Sequence, residues 1–189
     1  MPDLELFTQD TGLILVDVQQ KLVAAMPESV ATRAIHAWTA LLEMAARLRL
    51  PVAVSEQYPK GLGPTLPVLR ELLGKITPPP RFVEKLDFSC CAAPLFDQFV
   101  SDSGRRAWII AGMETHVCVY QTTRGLLEKG LRVHVLADAV LSRTKQNWQT
   151  GLRLMERSGA VITSTETALF DLVKRAEGET FKALSRLVK

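Results

Sequence analysis

The segment 107–119 carries a cysteine at the point where an apolar strand passes into a helix. It consists of a buried apolar stretch, the glycine Gly112, a short polar turn and then Cys118. Backbone N–H groups and the dipole of a helix N-terminus favour a thiolate, so this position predicts a lowered pKa for the Cys118 thiol. The same N–H groups can hydrogen-bond the oxyanion formed when a thiolate attacks a carbonyl. From this segment alone, a nucleophile and a small buried core residue are equally good interpretations of Cys118.

Two charged residues stand at the ends of other apolar runs. Asp17 closes the run 13–16, and Lys85 follows the run 81–84. If the strands follow the order 3-2-1-4-5-6, Asp17 lies beside Cys118, and Lys85 lies two strand spacings, roughly 10 Å, from the first strand. Asp17 can then accept the thiol proton and pass it to a leaving group, while Lys85 keeps the carboxylate ionised or assists the proton transfer. Taken singly, Asp17 is also a common turn cap and Lys85 a common surface residue.

Short apolar runs alternate with longer segments of helical period, which is typical of a parallel sheet buried on both faces by crossover helices. The pattern predicts an α/β fold: a three-layer α/β/α sandwich with a six-stranded parallel sheet of order 3-2-1-4-5-6. The predicted strands are 13–16, 52–55, 81–84, 107–111, 132–136 and 160–163. Helices are predicted from an apolar stripe that ends at Leu48, and over 66–73, 95–100, 117–129, 147–158 and 165–176. The segment 181–189 is predicted to be an amphipathic helix that packs on a partner subunit.

The composition is that of a globular chain without a strongly charged partner. At 189 residues, one domain spanning 1–189 is the economical interpretation. The 23 basic and 20 acidic residues are interspersed, which favours neither nucleic acid nor a membrane surface as a partner. No apolar run approaches the roughly 20 residues of a membrane helix. The acidic start is unlike a signal peptide, and the three cysteines make no disulfide framework, so we expect a cytoplasmic protein.

Four stretches together resemble the isochorismatase-like cysteine hydrolases, the superfamily that includes nicotinamidases, carbamoylases and isochorismatases. They are LVDVQQK at 15–21, KLDFS at 85–89, GMETHVCVYQT at 112–122 and VHVLADAVLSR at 133–143. The stretch SEQYPKGLG at 55–63 further resembles the subgroup called isochorismatase domain-containing proteins. The resemblance spans nearly the whole chain. It implies the Rossmann-like fold of that superfamily and an Asp-Lys-Cys triad at Asp17, Lys85 and Cys118.

The resemblance also implies details of the site. A cis peptide bond is expected between Met113 and Glu114, with the backbone N–H groups of Glu114 and Cys118 forming the oxyanion hole. Nicotinamidases bind a metal through an Asp and several His residues after the second strand, whereas this chain has Glu56, Gln57 and Tyr58 there. We therefore expect no metal and no cofactor. Similar proteins are commonly homo-oligomers, as dimers or larger rings.

The pocket wall and the reaction are less constrained. Gln19, Gln57, Tyr58 and Phe88 are candidate substrate contacts because each lies just beyond a predicted strand end, and His116 is a candidate because it precedes the nucleophile by two residues. The first hypothesis is hydrolysis of a C–N bond in a small amide, carbamoyl compound or imide through an acyl-cysteine. Hydrolysis of a vinyl ether, as in isochorismate, and an oligomeric interaction module with vestigial catalysis are the alternatives.

Overall fold

The computed structural model describes residues 4–188, which form an α/β fold. Its sheet has six strands in the order β3-β2-β1-β4-β5-β6, and every neighbouring pair is parallel. This confirms the predicted topology. The strands are β1 (Thr11–Val16), β2 (Val52–Gln57), β3 (Arg81–Lys85), β4 (Ala107–Met113), β5 (Arg132–Leu141) and β6 (Val161–Thr163).

Helices cover both faces of the sheet. Along β1, Leu13 and Leu15 point into one apolar cluster and Ile14 and Val16 into the other, as the two-residue period of a strand requires. The helices are α1 (Gln20–Ala24), α2 (Glu28–Leu48), α3 (Pro59–Leu62), α4 (Pro67–Leu73), α5 (Pro94–Ser103), α6 (Tyr120–Glu128), α7 (Lys145–Arg157), α8 (Thr165–Val173) and α9 (Gly178–Leu184). The first cluster includes side chains of α2, α4, α8 and α9, and the second includes those of α5, α6 and α7.

The structure differs from the predicted elements mainly at their ends. The strand β5 runs five residues past the predicted end, because a shift in its register with β4 lets it pair again at Val140. The helix α9 begins before 181 and packs on α2 and α8 of its own chain, with Leu184 fully buried. Part of its apolar face is thus used within the subunit, and packing of this segment on a partner stays a prediction. Residue 189 lies outside the described residues.

The junction of β1 and β4 forms one side of the candidate site. Val16 pairs with Gly112, and a Cβ on Gly112 would clash with the carbonyl oxygen of Val16. Only glycine permits this approach, and its φ of 118° is one that side chains rarely adopt. Beyond it, a turn of π-helix, Thr115–Val119, leads directly into α6. Glycine at 112 thus brings the end of β1 against the segment that carries Cys118.

None of the helices within residues 4–188 is long and apolar enough to cross a lipid bilayer.

Candidate active site

The three predicted triad residues come from three separate elements and converge at the carboxyl edge of the sheet. Asp17 directly follows β1, Lys85 is the last residue of β3, and Cys118 lies in the π turn after β4. Asp17 is fully buried, and Lys85 and Cys118 are only 5% and 7% exposed. Charged and nucleophilic groups so far from water need partners, since burying an unpaired charge is costly.

Lys85 and Asp17 form a buried ion pair. Lys85 Nζ lies 2.7 Å from Asp17 Oδ2, and it also donates to Gln57 Oε1 at 2.7 Å and to the carbonyl of Phe88 at 3.2 Å. These three acceptors match the three N–H bonds of an ammonium group. Burial is the largest single cause and acts to lower the pKa of Lys85, but the charge and hydrogen bond of Asp17, together with the nearby Cys90 and Cys118, outweigh it, so the pKa is raised. Lys85 is therefore a cation at neutral pH, and it reaches Asp17 across β2.

The Cys118 thiol faces Asp17, and its pKa is raised rather than lowered. Burial is the largest cause, followed by the negative charge of Asp17, and a hydrogen bond to that carboxylate acts in the same direction. The positive charge of Lys85 opposes them but does not prevail. The prediction of a lowered pKa from the helix N-terminus was therefore wrong. The arrangement instead holds a neutral thiol against a carboxylate that can take its proton at the moment of attack.

This geometry predicts that Cys118 carries no thiolate at neutral pH. A thiolate absorbs ultraviolet light that a thiol does not, so the difference spectrum between wild type and Cys118→Ala reports on this one group. We expect no thiolate signal at neutral pH and its appearance only on the alkaline side of an ordinary cysteine. A thiolate signal at neutral pH would show that the helix N-terminus dominates the environment instead.

The segment expected to form the oxyanion hole has the implied backbone. The peptide bond between Met113 and Glu114 is cis. The carbonyl of Glu114 accepts the N–H groups of Val117 and Val119, which places Glu114 and Cys118 within one compact turn. A Cβ on Gly151 of α7 would meet the carbonyl oxygen of Thr115 at 2.7 Å, so α7 packs directly on this turn. The turn is thus clamped between β4 and α7.

Of the expected pocket residues, the two glutamines hold other groups in place. Gln19 is fully buried, and its side-chain amide donates to the carbonyls of Gln57 and Gly63 and accepts the N–H of Gln57. These bonds fasten the loop after β2 to Gln19, and a contact between Gln19 and substrate stays a prediction. Gln57 accepts from Lys85 and donates to the carbonyl of Leu86. It orients the cation.

Tyr58, Phe88 and His116 lie nearer the surface. Tyr58 is 52% exposed and Phe88 is 53% exposed, while the imidazole of His116 is largely buried. Its Nδ1 lies 3.0 Å from the Ser142 hydroxyl and 3.5 Å from a carboxylate oxygen of Glu114. The other oxygen of Glu114 pairs with Arg143 at 2.7 Å. The two aromatic residues remain available for substrate, whereas His116 belongs to a polar network beside the nucleophile.

Sequence reasoning missed Ser55. Its hydroxyl donates to Asp17 Oδ1 at 2.6 Å, and its carbonyl accepts the N–H of Asp17. The signal was available, since Ser55 is the polar residue that closes the apolar run 52–55.

A cavity of about 970 Å³ lies elsewhere, among α2, the end of β5 and the starts of α7 and α8, and none of Asp17, Lys85 and Cys118 lines it. The converging reactive groups, rather than this cavity, therefore mark the candidate active site.

The potential metal ligands at the end of β2 and just after it do not suit a metal ion. One carboxylate oxygen of Glu56 already accepts from the backbone and hydroxyl of Thr65 and from Arg70. Of the histidines, His36 is exposed on α2 and His134 is buried in β5, far apart in the chain from His116. Within residues 4–188, no group of three or more His, Cys, Asp or Glu side chains has the geometry to hold a metal ion.

Comparison with known proteins agrees with the sequence motifs. A family profile for the isochorismatase domain matches residues 11–167. The isochorismatase domain-containing protein 2 of Xenopus laevis is 34% identical over 180 residues, which cover 93% of this chain and 82% of that protein. The secreted isochorismatase effector Isc1 of Phytophthora sojae is 36% identical over 156 residues, covering 82% of this chain and 74% of that protein.

Solved structures share the fold. The MAR1 ribonuclease from Caenorhabditis elegans superposes with a TM-score of 0.89 at 35% identity, covering 97% of this chain and 92% of that one. The YcaC gene product of Escherichia coli, an octameric hydrolase of unknown specificity, gives a TM-score of 0.89 at 21% identity over 99% and 92% of the two chains. Because the family profile spans most of the chain and relatives above 30% identity cover most of its length, the chain belongs to the isochorismatase family of hydrolases.

Proposed function

We propose that the chain is a metal-independent cysteine hydrolase that cleaves a C–N bond of a small amide, carbamoyl compound or imide. The observation that carries the proposal is the position of Asp17 between the other two triad residues. Its carboxylate lies 2.7 Å from Lys85 Nζ, and its negative charge acts on the Cys118 thiol. A base, a cation and a nucleophile that meet in one buried site can perform covalent catalysis.

In the first half of the proposed reaction, Asp17 takes the proton of the Cys118 thiol as sulfur attacks the substrate carbonyl carbon. A C–S bond forms, and the carbonyl electrons move to oxygen, where the backbone N–H groups of Glu114 and Cys118 stabilise the oxyanion. The tetrahedral intermediate collapses, the C–N bond breaks, and the nitrogen leaves with the proton from Asp17. Lys85 stabilises the ionised carboxylate before and after this transfer.

In the second half, water hydrolyses the acyl-cysteine. Asp17 is ionised again and accepts a proton from the attacking water, the C–S bond breaks, and the sulfur regains a proton from Asp17. The sum is addition of water across the C–N bond. Gln57 keeps Lys85 in place through its hydrogen bond at 2.7 Å, and Tyr58, Phe88 and His116 contribute to the substrate-facing surface.

The donor chemistry supports metal independence and the absence of a cofactor. Glu56 is engaged by Thr65 and Arg70, and the end of β2 offers Gln57 and Tyr58 where the resemblance to nicotinamidases would call for histidines. Activity should therefore survive a chelator, because every step is assigned to side chains and backbone of the chain itself. Loss of activity after chelation, with recovery on adding a divalent metal, would contradict this part of the proposal.

The proposal extends to the setting of the enzyme. Residues 1–189 form one hydrolase domain that binds a small molecule rather than nucleic acid or membrane, in line with interspersed charges that sum to +3. The three cysteines are free, which suits a reducing compartment such as the cytoplasm. We also propose a homo-oligomer, since the structural neighbour YcaC is octameric.

A substrate panel tests the proposed reaction. Benzamide, N-carbamoylglycine and succinimide represent the amide, carbamoyl and imide classes, and we expect the wild type to hydrolyse at least one class. Isochorismate is included because pyruvate release from it would indicate vinyl ether hydrolysis instead. Single-stranded RNA is included because the relative from C. elegans is called a ribonuclease. Turnover of none of the C–N compounds, or equal turnover by Cys118→Ala, would contradict the proposal.

A further inference from the structure

Ser55 holds Asp17 at two points. It lies in β2, between β1, which Asp17 directly follows, and β3, which ends at Lys85. Its carbonyl accepts the backbone N–H of Asp17 at 3.1 Å, and its hydroxyl donates to Asp17 Oδ1 at 2.6 Å. Ser55 is 1% exposed and Asp17 is 0% exposed, so water does not compete for either group. One residue therefore anchors both the backbone and the carboxylate of Asp17.

The two carboxylate oxygens of Asp17 have different donors. Lys85 Nζ binds Oδ2 at 2.7 Å, and the Ser55 hydroxyl binds Oδ1. The torsion that rotates an aspartate carboxylate is soft, so a donor on one oxygen alone leaves the plane of the group free to turn. Donors on both oxygens fix the plane. They thereby fix which lone pair meets the Cys118 thiol.

We propose that Ser55 is a positioning residue whose hydroxyl holds the Asp17 carboxylate in the orientation that accepts the Cys118 proton. This inference rests on the proposed function, in which Asp17 is the base. Ser55 acts through Asp17 and not on the substrate. Displacement of a catalytic group by about 1 Å can slow a reaction on the order of 100-fold. Loss of the hydroxyl should therefore lower kcat and leave KM nearly unchanged.

Ser55→Thr and Ser55→Val form the matched pair that tests this inference. Both residues are branched at Cβ and have nearly the same shape. They differ only in that threonine carries a hydroxyl where valine carries a second methyl group. On the panel compound that the wild type hydrolyses fastest, we expect Ser55→Val to lose roughly 10- to 100-fold in kcat with little change in KM. Ser55→Thr should stay close to the wild type. Ser55→Ala, which adds no volume, should behave like Ser55→Val.

Cys90→Ala is the packing control. The Cys90 side chain is fully buried, in the same apolar cluster as Ala53, which lies on the same face of β2 as Ser55. Its loss disturbs the same part of the core but leaves the donor to Asp17 in place, so we expect lower thermal stability and a kcat near that of the wild type. Equal kcat in Ser55→Val and Ser55→Thr, with Cys118→Ala inactive, would overturn the inference alone. Absent turnover in the wild type, or turnover that survives Cys118→Ala, would overturn the proposed function as well.

Discussion

Cys118→Ala is expected to lose turnover by at least about 10⁴-fold and to keep its fold. The loss is large because the nucleophile has no substitute: without sulfur, no acyl intermediate forms, and Asp17 has no proton to accept. The fold survives because the change removes a single side-chain atom from a residue at the edge of the core. Steady-state rates on a hydrolysed panel compound measure the first effect, and thermal unfolding measures the second.

Cys91→Ala is the matched control for this prediction. Cys91 is a free, partly buried cysteine whose thiol donates to the carbonyl of Thr122 and takes no part in the proposed reaction. Burial raises the pKa of its thiol to about 11, and its hydrogen-bond partner, the Thr122 carbonyl, cannot take the thiol proton as Asp17 can for Cys118. We expect wild-type turnover from Cys91→Ala. Equal rates in the wild type and Cys118→Ala would exclude Cys118 as the nucleophile.

Lys85→Met is expected to lower the free energy of unfolding by about 3–5 kcal/mol at neutral pH. Methionine fills much of the volume of the lysine stem but leaves Asp17, which is fully buried, without its cation. The cost is that of an uncompensated buried charge. Urea denaturation of both proteins measures it. The double variant Asp17→Asn, Lys85→Met removes both charges and should recover part of the loss.

The Lys85 contribution also has a defined pH range. The folded pKa of Lys85 lies above the value of 10.5 for a free lysine, so the folded state holds the proton more tightly than the unfolded state. The stabilisation is therefore fully present below about pH 10.5 and is lost as pH rises through the folded pKa. We expect the stability difference between wild type and Lys85→Met to be constant near neutrality and to shrink in strong alkali.

Lys75→Met is the control for burial. Lys75 Nζ lies 2.7 Å from Glu71, the same distance as in the Lys85–Asp17 pair. Both side chains of the Lys75–Glu71 pair, however, are mostly exposed. Solvent screens an exposed pair, so its loss should change stability far less than the loss of Lys85. Similar losses in Lys75→Met and Lys85→Met would show that the buried pair has no special energetic role.

The positions of Asp17 and Lys85 could be predicted because parallel strands bring their carboxyl ends to one edge of the sheet. Apolar runs mark the strands, and the residue after each run must lie at that edge. The strand order then decides the neighbours, which is why Asp17 was expected beside Cys118. The pattern could not predict how deeply each side chain is buried. Lysine is a residue type usually found at the surface. Lys85 is nevertheless only 5% exposed, because Asp17, Gln57 and Phe88 accept its three hydrogen bonds.

Other features depend on contacts that sequence spacing does not encode. The pKa of Cys118 was predicted from its own helix, but burial and the charge of Asp17, 101 positions earlier, decide its direction. Gln19 follows a strand end like Asp17, yet its side chain turns toward Gln57 and Gly63. The polar type of Ser55 at the end of an apolar run was visible in the sequence, but its role depends on the partner of its hydroxyl, which the spacing does not reveal. Contacts between residues far apart in the chain determined each of these outcomes.

The central claim is that Cys118 becomes covalently acylated. The most direct test is to mix the enzyme with p-nitrophenyl acetate, quench in acid, and measure intact mass followed by peptide mapping. We predict one acetyl group on Cys118 in the wild type and in Cys91→Ala, and none in Cys118→Ala. An acetyl group on Cys90 or Cys91 alone, or equal labelling of Cys118→Ala, would contradict the assignment of Cys118 as the nucleophile.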